Sequence, residues 1–120
     1  MILVDTSIWV DHLRSGNARL AAELDGGRVL MHPFVIGELA CGTLRNRREV
    51  LALLGSLPSV PTATQLEALD FLHDRALMGR GIGFIDVHLL ASAALATPAR
   101  LWTRDQRLAA IAAELALAYR

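Results

Sequence analysis

The sequence predicts an α/β fold: an open parallel sheet covered by helices on both faces, a three-layer α/β/α arrangement. Three observations predict it. Short apolar runs rich in β-formers occur at residues 1–4 ("MILV"), 28–32 ("RVLMH") and 100–103 ("RLWT"). Helical patterns separate them. Glycine, proline or cap residues mark most of the boundaries. Strands that alternate with helices run parallel, and a parallel sheet buries both its faces.

The elements follow in order. "MILV" is a buried strand, and "DTS" supplies caps for a helix over 7–14, which "SGN" ends. Residues 18–25 are helical up to Gly26 and Gly27. "RVLMH" is the second strand, closed by Pro33. Helices are predicted over 34–44 and 47–55. "LPSVP" is a connector with room for a short strand. A long amphipathic helix is predicted over 63–78, followed by the loop "GRGIG". An apolar helix over 84–96 stops at "TP". "RLWT" is a strand, 104–112 a helix and "LALAY" a last short strand. No repeat or linker interrupts the 120 residues, so one domain spanning 1–120 is expected.

Composition narrows the function. Twelve basic residues balance twelve acidic ones, and every basic residue is arginine. This is not the strongly basic footprint of a protein that coats nucleic acid. Lysine chemistry is excluded. A lone cysteine, Cys41, excludes an internal disulfide and a cysteine-based zinc site, and fits a reducing cytoplasm. Asp5 interrupts the N-terminal apolar run, so no signal peptide is expected. The charge-poor stretch 81–99 holds Asp86, His88 and Pro98 and suits a buried helix better than a membrane span.

Three acids stand out. Asp5, Glu38 and Asp86 are each the only charged residue in the stretches 1–10, 29–44 and 81–99. Glu38 shares its helical face with Phe34, Cys41 and Gly42, and Asp86 with Leu89, Leu90 and Ala93. Both are therefore expected to point along packing stripes. An isolated buried carboxylate costs several kcal/mol, so it must either protonate or share a cation. Asp105 follows the "RLWT" strand in a more polar setting. Ordinary roles remain open for each acid: N-caps for Asp5 and Asp105, a first-turn acid for Asp86, an exposed helix residue for Glu38.

If the four converge, the site is all oxygen and suits Mg²⁺ or Mn²⁺. His12, His32, His73 and His88 lack metal-ligand spacing. A carboxylate cluster with one or two such ions suits phosphodiester hydrolysis. "GRGIG" lacks the ending of a phosphate-binding P-loop.

"LVDTS", "GEL" with Glu38, "GIGFIDVHLLASA" with Asp86 and "LWTRDQRL" with Asp105 resemble the PIN-domain ribonucleases, and among them the VapC toxins of type II toxin–antitoxin systems. The resemblance covers essentially the whole chain. It implies an α/β/α sandwich and a Mg²⁺- or Mn²⁺-dependent endoribonuclease. By position, Asp5, Glu38, Asp86 and Asp105 match the family's acidic quartet. Asp5 and Asp86 match direct ligands, Glu38 a ligand or water-orienting group, and Asp105 an outer or second-metal residue. Thr6 and Thr103 match hydroxyls beside the acids. The resemblance also implies an RNA substrate, a homodimer, a VapB-like antitoxin and a toxin–antitoxin hetero-oligomer. Arg45, Arg47, Arg48 and Arg80 are candidate RNA contacts, or else solvated turn residues. The apolar face of 47–55 could serve a dimer, an antitoxin or the core. Two other functions compete. One is a PIN-like module that binds RNA or a partner without cutting. The other is an aspartate-based phosphatase or phosphotransfer domain, disfavoured because Ser7 stands where a second aspartate is needed and no lysine is present.

Overall fold

The computed structural model describes residues 1–120. Its centre is a parallel sheet in the order β2-β1-β3, formed by β1 (Ile2–Val4), β2 (Val29–Leu30) and β3 (Arg100–Trp102). Ile2 lies opposite Val29 and Arg100, and Val4 opposite Trp102. Single bridges extend both edges, Met31 to Ser59 and Leu101 to Ala118. Leu3 and Val4 are fully buried, as apolar strands covered on both faces require.

Seven helices cover the sheet: α1 (Thr6–Ser15), α2 (Ala18–Asp25), α3 (Pro33–Ala40), α4 (Arg47–Gly55), α5 (Gln65–Asp74), α6 (Phe84–Leu95) and α7 (Gln106–Glu114). Helix α6 is buried from Val87 to Ala93 and packs on both α5 and β3. Leu89, Leu90, Leu101, Leu108 and Ile111 join the strands in one hydrophobic core. No helix is long and apolar enough to cross a membrane.

The predicted fold class holds, while several element ends move and the last predicted strand does not form; α7, expected over 104–112, runs from Gln106 to Glu114 because Asp105 caps it. Helix α3 stops at Ala40, four residues early; Gly42 N–H turns back to the Leu39 carbonyl, and Arg47 caps the Gly42 carbonyl. Helix α5 runs only from Gln65 to Asp74 because Ala76 adopts φ 54°, which drops Leu77 into the core. "LALAY" forms a single bridge, not a strand.

The topology fixes where a site can lie. The chain leaves β1 toward β2 on one side and later returns to β3 on the other, so the crevice opens at the carboxyl ends of β1 and β3. Asp5 N–H donates to the carbonyl of Trp102, the last residue of β3 (2.9 Å), carrying the ladder one residue past the end of β1.

Helix α3 starts on an unusual cap. His32 is fully buried, and its Nδ1 accepts the Phe34 N–H (2.9 Å). The ring proton therefore sits on Nε2, which has no protein partner. Burial, and then the neighbouring His88, lower the His32 pKa from 6.5 to about 4. The unfolded chain thus binds the extra proton first. This contribution to stability is complete above pH 6.5 and is lost as the pH falls toward 4. The denaturation midpoint of the wild type is expected to drop across that window. His32→Asn keeps a cap acceptor but cannot titrate, so its drop should be shallower. Equal slopes would contradict this assignment.

Candidate active site

Asp5 ends β1 and occupies the N-cap position of α1, yet its side chain makes no capping bond. It is 7% exposed, and Oδ2 instead accepts two hydroxyl protons, from Thr103 (2.7 Å) and Ser7 (2.9 Å). Each hydroxyl in turn accepts a backbone N–H from the segment after β3. Ser7 takes that of Arg104 (3.0 Å) and Thr103 that of Asp105 (3.1 Å). The two hydroxyls stitch the carboxylate to the β3–α7 turn, and Oδ1 is left for a ligand.

The other acids arrive on different elements. Asp86 lies in the first turn of α6, half-buried, with Oδ2 accepting the Gly83 N–H (3.1 Å). Asp105 caps α7 through Oδ1, which accepts the Leu108 N–H (2.9 Å). Glu38 lies on α3 and accepts the Thr6 hydroxyl (2.7 Å). The expectation that Glu38 points into packing is corrected. It is exposed, as are Phe34, Cys41 and Gly42 on its face, because that face of α3 looks out of the fold.

The electrostatics connect the four. Burial pushes the Asp86 carboxyl above its ordinary pKa, the Gly83 N–H opposes this, and the negative charges of Asp5, Asp105 and Glu38 push it further up. No arginine forms an ion pair with any of the four; the ion pairs are Arg28–Glu23, Arg80–Glu114 and Arg104–Asp11. No three His, Cys, Asp or Glu side chains are grouped closely enough to hold a metal ion as they stand. Hard oxygen donors, uncompensated charge and a free oxygen on a buried aspartate fit a divalent cation such as Mg²⁺ or Mn²⁺.

The arginines divide. Arg45 shares a groove with Glu38. Arg47 is committed to the Gly42 carbonyl, Arg48 is exposed, and Arg80 is held by both oxygens of Glu114 (2.9 and 3.1 Å). Sequence reasoning missed Ser7 as a partner of Asp5. Its place in "DTS", two residues from the acid, was the available signal. Arg107, whose side chain covers the Gly81 backbone ahead of Asp86, left no such signal. His88, packed between Phe34 and Phe84, is buried as an aromatic-cluster residue.

A parallel α/β/α domain with unpaired acids at the carboxyl edge of its sheet is the architecture of a PIN domain, and the chain belongs to that family, which it matches over residues 2–114. Within the family it is VapC-like. It is 49% identical over 118 residues to "Ribonuclease VapC32" of Mycobacterium tuberculosis, covering 98% of this chain and 95% of that protein. The match is the same in strains CDC 1551 / Oshkosh and ATCC 25618 / H37Rv.

Because Asp86 is charged only against burial and three like charges, its carboxylate destabilises the metal-free fold. A raised folded pKa means this penalty is complete above that pKa and vanishes as the pH falls and Asp86 protonates. Asp86→Asn retains an acceptor for Gly83 N–H. In EDTA at pH 7 its melting temperature should exceed that of the wild type, with the gap closing on acidification. An unchanged or lower value at pH 7 would contradict the coupling.

Proposed function

We propose that the chain is a Mg²⁺- or Mn²⁺-dependent endoribonuclease acting as the toxin of a toxin–antitoxin pair. The observation that carries this reading is the coupling of four acids from four helix starts and faces, none of them neutralised by an arginine. The name of the Mycobacterium relative supports the choice of RNA as substrate.

Asp5 and Asp86 would hold the cation, with Glu38 completing the set or orienting a water, and Asp105 offering Oδ2 from the outer side. A bound divalent ion supplies Lewis acidity and a water activated near neutral pH. The protein's own contribution is orientation. Ser7 and Thr103 fix the Asp5 carboxylate plane through Oδ2, and Thr6 fixes Glu38. Outer partners of this kind set ligand geometry and basicity. Asp86, whose charge burial opposes, would gain from a cation held beside it.

The partners follow the same reading: a VapB-like antitoxin, a homodimer and their hetero-oligomer, in the cytoplasm. An apolar groove of about 300 Å³ between α1, α2 and α4, lined by Trp9, Leu13, Leu24, Leu53 and Leu57, offers the antitoxin a surface. Leu53 is 69% exposed there.

Purified protein should cleave single-stranded RNA with Mg²⁺ or Mn²⁺ and not in EDTA. Asp5→Asn and Asp86→Asn should each lower the rate by more than about 100-fold, beyond the usual cost of losing an outer-shell partner, with circular dichroism unchanged. No cleavage with either ion, or variants that cleave like the wild type, would overturn the proposal.

A further inference from the structure

The twelve arginines of this neutral chain give it no net attraction for a polyanion. Binding RNA therefore needs a local arrangement, and most arginines are already committed. Arg28, Arg80 and Arg104 are in ion pairs. Arg47 and Arg100 donate to backbone carbonyls. Arg19 lies over the rings of Trp102 and Tyr119, and Arg75 over Phe71. Arg14, Arg45, Arg48, Arg107 and Arg120 carry neither an ion pair nor a protein hydrogen bond and are exposed; of these five, Arg14 and Arg45 face a common groove.

These two line one groove. Arg14 lies in the last turn of α1, and Arg45 between α3 and α4. The groove has a volume of about 470 Å³, and Glu38 of the acidic cluster lines it too. Leu13, Leu39 and Val50 contribute apolar surface, and Thr43 adds a hydroxyl. Two free guanidiniums on separate elements, beside an apolar floor and continuous with the acidic site, match a chain of alternating phosphates and sugar–base units. Guanidinium forks suit phosphate oxygens.

We infer that the Arg14–Arg45 groove is the track for the single-stranded RNA segment that flanks the scissile phosphate, with both arginines binding its phosphates and positioning the strand over Glu38 and Asp86. The inference rests on the nuclease reading for its substrate, but its test does not need cleavage. Arg14 and Arg45 are positioning residues, contributing binding and not chemistry.

The test measures fluorescence anisotropy of a fluorescein-labelled 12-nucleotide single-stranded RNA with Asp86→Asn protein, so that turnover does not consume the probe. Added to that background, Arg14→Ala and Arg45→Ala should each weaken binding by about tenfold, as expected for a lost charge-assisted bond. The slope of log K against log salt should flatten by about 0.7 for each arginine removed. Arg120→Ala, outside the groove, serves as the control for lost net charge and should change little. In otherwise wild-type protein, Arg14→Ala should raise KM while leaving kcat within about twofold. Groove variants that bind RNA like their parent, or no worse than the Arg120 variant, overturn the inference, as does a parent that binds no RNA. A groove that serves only a protein partner would give the first of these results. Failure of the nuclease reading shows separately, as wild-type protein without metal-dependent cleavage.

Discussion

The site depends on one buried carboxylate. Asp5 is held at the end of the central strand by two hydroxyls that converge on a single oxygen. Ser7 and Thr103 donate to this buried carboxyl, so it is not left without hydrogen-bond partners, and the Asp5 N–H extends the ladder to Trp102. Both hydroxyls also accept backbone N–H groups from Arg104 and Asp105. The β3–α7 turn, and with it Asp105, is thereby placed relative to Asp5. Register between β1 and β3 brings Thr103 to Asp5; a shift of one residue would separate them.

The remaining acids carry charge that the fold leaves without a cationic partner. Asp86 is held in the first turn of α6, where the Gly83 N–H favours its charge while burial and three other carboxylates oppose it. A domain built only for stability would pair or remove such groups. Here two of the arginines pair with other acids, Arg104 with Asp11 and Arg80 with Glu114, and none pairs with the four. Local strain of this kind at uncompensated charges is a common cost of function.

Much of this was legible in the sequence. Alternating apolar strands and capped helices predicted a parallel α/β sheet, and the acids in charge-free stretches marked Asp5 and Asp86. Helix ends were less legible because the chain uses context, not signal residues. Ala76 takes a left-handed conformation that favours glycine, so nothing in the sequence marked the end of α5. Glu38 misled because its face carries Phe34 and Cys41, apolar residues that the fold leaves exposed. The N-cap reading of Asp5 was right for the backbone and wrong for the side chain, since a tertiary partner, Thr103, lies 98 residues away. The pairing of Arg80 with Glu114 is likewise a tertiary fact that no local pattern reveals.

The central claim is that Asp5, Glu38, Asp86 and Asp105 form a divalent-cation site. Anomalous diffraction from crystals grown or soaked in Mn²⁺ tests it most directly. The account predicts a manganese peak between Asp5 and Asp86, bounded by Glu38 and Asp105. Ordered carboxylates with no peak among them at saturating Mn²⁺, or manganese bound only elsewhere on the surface, would contradict it.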